Sequence, residues 1–281
     1  MISSLQNELV KRVVRLRDRR DRQREGVFVI EGEKEFLCAT ANGIAIETVL
    51  YCGELLGGNE RLKTAEGVEG YAGELGGGAK AVAVSERVYE KIAYRETVGG
   101  LVAVARTPVR DIKDAALSDR PFVVVVEGVE KPGNLGALLR TADGAGVEAV
   151  IVCGEAVELY NPNVVRSSVG AVFAVACFAC SSDEARAWLR GRGIGVVVAT
   201  PGAKDRYTEI DYTGPVALVL GSEHEGVDAG WLGAEAVQVR IPMAGQMDSL
   251  NVAASGAVLM YEVARQRRED GAGERDRGVL V

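Results

Sequence analysis

Leu5, Leu9, Val13 and Leu16 recur at helical spacing, with basic side chains between them, so one amphipathic helix ending before Gly26 is expected to open the chain. Val27-Phe28-Val29-Ile30 reads as a short strand, residues 33–42 as a helix stopped by Asn42-Gly43, and residues 46–52 as a second strand. Glycine clusters at Gly57-Gly58 and Gly76-Gly77-Gly78 punctuate the next stretch of chain. Beyond them come the strand pattern Ala81-Val82-Ala83-Val84, a helical stretch over 86–94, and Leu101-Val102-Ala103-Val104-Ala105. Residues 1–105 therefore read as a small α/β unit.

A polar connector with Pro108 occupies residues 106–120. The next unit opens on Phe122-Val123-Val124-Val125-Val126, a continuous run of the kind found in strands buried on both faces. Similar runs are Ala149-Val150-Ile151-Val152, Ile194-Gly195-Val196-Val197-Val198 and Val216-Ala217-Leu218-Val219-Leu220, with a more mixed Val237-Gln238-Val239-Arg240-Ile241. Helical patterns over 135–143, 183–190 and 250–268 alternate with them. The expected fold class is α/β, a mostly parallel sheet covered by helices, over residues 121–268. Residues 269–281 read as a loose, charged tail.

With 47% hydrophobic and 26% charged residues, the 281-residue chain can build sizeable cores, which excludes a wholly disordered protein. No basic patch followed by an apolar run opens it, so no secretory signal is expected. The longest uncharged apolar stretch, residues 169–180, is too short to cross a membrane and reads as a buried strand or helix. Cys38, Cys52, Cys153, Cys177 and Cys180 all lie in or beside apolar segments, as reduced thiols of a cytoplasmic protein would. Cys177 and Cys180 form a CxxC, but core packing is the favoured reading over redox or zinc chemistry, which would want polar access or further ligands. A single histidine, His224, excludes multi-histidine metal catalysis, and no metal is expected. Net charge is −7, yet residues 1–28 hold eight Lys/Arg against four Asp/Glu. Arg19, Arg20, Arg22 and Arg24 belong to that run, which reads as a phosphate-tracking surface or, more plainly, as a solvated helix face.

In an open parallel sheet, ligands gather beyond the carboxyl ends of the strands. Four segments place chemistry there. After the first strand of the second unit, Asn134 is expected to cap a helix that carries Arg140. The spacing of Gly133 and Gly136 is not that of a dinucleotide loop, so no nicotinamide cofactor is inferred. In Asn161-Pro162-Asn163-Val164-Val165-Arg166-Ser167-Ser168-Val169-Gly170, Arg166 and the hydroxyls can hold a phosphate or the loop of the first segment. Gly221-Ser222-Glu223-His224-Glu225-Gly226 comes after the Val216 strand. Finally, Ser249 and Asn251 offer polar groups beside an apolar wall of Met243 and Leu250.

Three stretches carry a family resemblance: Glu130-Lys131-Pro132-Gly133-Asn134-Leu135-Gly136-Ala137-Leu138-Leu139-Arg140-Thr141-Ala142, Leu220-Gly221-Ser222-Glu223-His224-Glu225-Gly226, and Ile241-Pro242-Met243-Ala244-Gly245-Gln246-Met247-Asp248-Ser249-Leu250-Asn251-Val252. In this order they resemble the SpoU/TrmH RNA ribose 2'-O-methyltransferases of the SPOUT superfamily. Residues 1–105 are similar, less specifically, to that family's N-terminal L30e-like substrate-binding domain. Lys131 departs from the aspartate many relatives carry before Pro-Gly-Asn.

The resemblance implies a deep trefoil knot, S-adenosylmethionine held in it, and a homodimer with the cofactor at the interface. Carried over residue by residue, Arg140, Asn134, Ser249, Asn251 and Glu223 are the expected catalytic set. Leu220, Gly221, Ile241, Pro242, Met243 and Leu250 would hold the cofactor, and Arg19, Arg20, Arg22, Arg24 and Arg166 the RNA. Guanidinium stays protonated, so Arg140 is favoured as a grip on phosphate or the developing alkoxide, with assisted deprotonation left open. Leu250, Ala254, Ala257, Val258 and Tyr261 form one broad side of the last helix, suited to a dimer contact. Ribosomal RNA is the first substrate expected; transfer RNA, base methylation and a non-catalytic RNA-binding role are the alternatives.

Overall fold

The computed structural model describes residues 1–57, 59–73, 78–94, 99–154, 157–222 and 226–269. In chain order its elements are α1 (Glu8–Arg15), α2 (Arg19–Glu25), β1 (Val27–Glu31), α3 (Glu33–Ala41), β2 (Ile46–Tyr51), α4 (Ala65–Gly73), β3 (Lys80–Ala83), α5 (Glu86–Ile92) and β4 (Leu101–Arg106). Then come β5 (Phe122–Glu127), α6 (Pro132–Ala145), β6 (Ala149–Cys153), α7 (Pro162–Ser167), α8 (Ala171–Ala174), β7 (Ala176–Cys180), α9 (Ser182–Gly191) and β8 (Gly195–Ala199). The chain ends its described part with β9 (Asp205–Arg206), β10 (Val216–Leu220), β11 (Val237–Arg240) and α10 (Val252–Glu269). The glycine clusters at Gly57-Gly58 and Gly76-Gly77-Gly78 fall partly outside the described residues, and the expected tail does so after Glu269, which still belongs to α10.

Two compact units emerge, and neither is one stretch of chain: Met1–Val109 with Glu158–Ala174, and Arg110–Val157 with Val175–Val281. The first holds a four-stranded sheet in the order β1-β4-β2-β3. The single opening helix expected from the leucine spacing is in fact two. The Asn7 side chain caps α1 by accepting from the Leu9 amide at 2.9 Å, and Asp18 caps α2 by accepting from Arg20 at 2.7 Å. An aspartate that can satisfy orphan amides locally competes with continued helix, and here it restarts the helix. Gly26, left-handed at φ 65°, ends α2 and turns the chain into β1. Helices α7 and α8 complete this unit: Tyr160 packs on Phe28 with ring centroids 4.8 Å apart, and Phe173 lies 5.8 Å from Phe28.

The second unit holds a seven-stranded, wholly parallel sheet in the order β7-β6-β5-β10-β8-β11-β9. Every residue of β5, β6 and β10 is buried, as their unbroken apolar runs require of central strands with both faces covered. On α6, Leu135, Leu138, Leu139 and Ala142 face inward at helical spacing. Helix α10 lies close against it at Gly256, where a Cβ would come within 2.3 Å of Leu138 Cδ2 and 3.0 Å of Leu220 Cδ1. That approach brings the start of α10 to the carboxyl ends of the strands. Residues 169–180, read as one strand or helix, divide between α8 in one unit and β7 in the other.

Candidate active site

At the carboxyl ends of β8, β10 and β11 the second unit opens a cleft of about 330 Å³, the size of a small-molecule site (~300–1,000 Å³). Leu220 and Gly221 mark the end of β10, and Ile241 and Met243 lie just past β11. Ser249 and Leu250 close the wall just before α10. Gly221 has no substitute: a Cβ there would stand 2.2 Å from the Gly226 carbonyl carbon. Paired bonds between Ser222 and Gly226, at 2.9 and 3.1 Å, shut the turn that makes this approach. Glu223 and His224 lie outside the described residues. Pro242, expected in the cofactor wall, is exposed and not part of the lining. Ala199, Thr200 and Pro201 line the cleft and were missed. The rule that ligands gather beyond parallel strands pointed to them, since they lie at the end of β8, but their residue types are unremarkable. The Thr200 amide donates to the Val239 carbonyl at 2.9 Å and so ties the ends of β8 and β11 together.

The polar residues of two distant segments meet at the rim. Asn251 Oδ1 accepts from the Ala253 amide at 3.0 Å, and its carbonyl accepts from Ser255 at 2.9 Å, so it starts α10. With its oxygen engaged, its Nδ2 donates to Asn134 Oδ1 at 3.2 Å, across 117 positions of sequence. Asn134 is therefore not the helix cap it was expected to be. Lys131 occupies that position without a side-chain bond, Pro132 takes the first helical position, and Asn134 sits within the first turn. Proline needs no amide partner there, which lets the helix begin earlier than an asparagine cap would set it.

Arg140 stands on the solvent face of α6, and among the described residues its side chain makes no hydrogen bond or ion pair. It lies six positions after Asn134, about 9 Å along the helix axis. The structure thus joins Asn134 to Asn251, places Ser249 on the cleft wall and leaves Arg140 facing solvent.

In the first unit, the arginine run divides. Arg19 and Arg20 are exposed and carry no side-chain ion pair among the described residues. Arg22 is withdrawn from the RNA-binding set: its side chain is 3% exposed. It grips Glu158 through Nε at 3.2 Å and Nη2 at 2.5 Å, and donates to the Leu16 and Arg17 carbonyls at 2.9 and 2.8 Å. Burial works against its charge, but the Glu158 bond and field more than offset that and raise its pKa. Arg24 pairs with Asp21 one turn earlier. Arg166 is half-buried and donates to Asn163 Oδ1 at 2.8 Å. Beside it, Val169 takes a left-handed φ of 52°, a costly conformation for a β-branched residue.

Among the described residues no three His, Cys, Asp or Glu side chains gather as metal ligands, and no helix is long and apolar enough to cross a membrane.

Residues 121–261 match the SpoU rRNA Methylase family, and residues 7–103 match the MRM3-like substrate binding domain. The chain is similar to a crystal structure of an RNA 2'-O ribose methyltransferase, at 42% identity and TM-score 0.81, over 95% of this chain and 99% of that one. It is similar to the AdoMet-bound rRNA methyltransferase from Sinorhizobium meliloti, at 29% identity and TM-score 0.84, over 94% and 97% of the two chains. A 23S rRNA guanosine 2'-O-methyltransferase of Bacillus subtilis is 28% identical over 93% of this chain and 98% of its own.

Proposed function

The chain belongs to the SpoU rRNA methylase family, with the SPOUT α/β fold and a separate N-terminal α/β domain, and from that premise we propose how it works as an S-adenosylmethionine-dependent RNA ribose 2'-O-methyltransferase. The observation that carries the reading is the Asn251–Asn134 bond at the rim of the cleft beyond β8, β10 and β11. The cleft fits the cofactor: Leu220, Ile241, Met243 and Leu250 offer apolar walls, and strand-end backbone and Ser249 offer polar groups. Bound there, S-adenosylmethionine supplies a methyl group on a cationic sulfur.

The ribose hydroxyl must shed its proton as its oxygen attacks, so the protein's task is alignment and stabilisation of growing negative charge. Arg140 takes that charge or the adjacent phosphate, because its guanidinium is a permanently protonated donor fork that no side chain among the described residues engages. The asparagine pair holds the start of α10 against α6, which fixes Ser249 and the ribose relative to Arg140. The first unit, Met1–Val109 with Glu158–Ala174, binds RNA through Arg19, Arg20 and Arg24 with Arg166 assisting, and the second unit catalyses.

The substrate is ribosomal RNA, the RNA in the names of two of these relatives, and the enzyme acts in the cytoplasm as a homodimer. Met243, Met247, Leu250 and Tyr261 leave an apolar surface exposed on the second unit, with Met247 74% exposed. Such a surface suits a second copy of the chain. Mapping 2'-O-methyl groups by mass spectrometry in RNA from cells with and without the gene tests the reading. Loss of one ribosomal methyl group is expected; loss of a base methyl group or of none overturns it.

A further inference from the structure

The CxxC spacing draws attention to the wrong cysteine pair. Cys177 and Cys180 lie three apart on β7, an odd separation, so side-chain alternation sends them to opposite faces of the sheet. Burial pushes the Cys177 thiol up to about 12, where it is inert. Cys180 stands instead in register with Cys153 at the end of the neighbouring strand β6. In-register residues of adjacent parallel strands project from the same face, and such strands run about 4.8 Å apart. That spacing falls within the roughly 4.4–6.8 Å of Cα separation that disulfides span.

Both thiols are free, Cys153 buried and Cys180 half-buried. The neighbouring Cys153 side chain lowers the Cys180 pKa despite burial and the nearby Glu184 and Asp111, and Cys180 together with burial raises that of Cys153. A half-buried thiol with a lowered pKa beside a fully buried partner is the arrangement of an attacking and a resolving cysteine.

We propose that Cys180 and Cys153 form a hydroperoxide-reactive dithiol, with Cys180 attacking and Cys153 resolving. The Cys180 thiolate attacks one peroxide oxygen, the O–O bond breaks, and hydroxide leaves to be protonated to water. The Cys153 sulfur then attacks the resulting sulfenic sulfur, an S–S bond replaces the S–O bond, and the hydroxyl leaves with the Cys153 proton as a second water. Two thiols lose two electrons in all, and the peroxide gains them. The crosslink closes the chain around Glu158–Ala174, the segment that packs in the first unit, and thereby restricts it when the fold opens.

Full-length reduced protein, treated with stoichiometric hydrogen peroxide, is alkylated under denaturing conditions and mapped by mass spectrometry without reductant. Two of the five thiols should disappear together, in one peptide pair joined through Cys153 and Cys180, and dithiothreitol should restore both. Cys153→Ser should leave a Cys180 sulfenic acid that dimedone captures, while Cys177→Ser should crosslink as before. If Cys153→Ser folds poorly, the wild-type peptide map decides alone. A Cys177–Cys180 link, oxidation of Cys38 ahead of Cys180, or survival of all five thiols overturns the proposal.

Discussion

Arg22 on α2 and Arg140 on α6 are the same residue type on two helices, treated in opposite ways. Arg22 is buried and donates four hydrogen bonds, two of them to Glu158. Arg140 is exposed, and among the described residues no side-chain partner engages it. A buried guanidinium must be paired to offset its lost hydration, and Arg22 spends four of its five N–H donors within the fold. An exposed one keeps its fork available. Burial and partners, more than charge, separate the arginine that holds the fold from the one able to meet a substrate.

The largest effect should come from the exposed member. Arg140→Ala is expected to cut single-turnover methyl transfer by about 10²–10³-fold, as loss of a transition-state charge partner does, with cofactor affinity and unfolding midpoint unchanged. Arg140→Lys should also be severely slowed, since a point charge does not reproduce the fork. A midpoint that fell with the rate would make Arg140 structural and erase the contrast.

Arg22→Ala should do the reverse. Leaving Glu158 without its partner in a largely buried setting costs about 3 kcal/mol of stability, read from urea unfolding. RNA affinity per folded molecule should not change. Weakened RNA binding at full stability would return Arg22 to the interface.

Asn251 sharpens the comparison because it serves both purposes. Asn251→Ala removes the α10 cap and the bond to Asn134, at about 1–2 kcal/mol of stability. Asn251→Asp keeps an oxygen for the cap but lacks the Nδ2 donor, so stability should hold while transfer falls. Unimpaired transfer by Asn251→Asp would show that the Asn134 contact contributes nothing of its own.

The smallest effect belongs to the exposed pair on α2. Replacing Arg19 and Arg20 together with glutamine should weaken RNA binding and lower the salt slope by about 1–2, with methyl transfer at saturating RNA preserved. An unchanged slope would mark that face as merely solvated.

Much of this was legible along the chain. The strand read at Val216-Ala217-Leu218-Val219-Leu220 appears with those bounds as β10, because a short unbroken apolar run is stable only as a central strand with both faces covered. Leu220, Gly221, Ile241, Met243 and Leu250, expected to hold the cofactor, line one cleft. Less legible were the features set by local competition, such as the Asp18 cap that divides the opening helix, or Pro132 taking the helix start that Asn134 was expected to mark.

The sequence by itself determined the α/β class, the buried strands and the residues able to do chemistry, because periodicity and residue type are local properties. Only the tertiary structure decided which of those residues meet. The order β7-β6-β5-β10-β8-β11-β9 joins strands far apart in sequence, sets Cys153 beside Cys180 and brings Asn251 to Asn134. Within the first unit, Glu158 meets Arg22 and turns one member of a basic run into a buried ion pair. Such contacts depend on sheet order and helix packing, which sum over many distant side chains, so no window of sequence carries them.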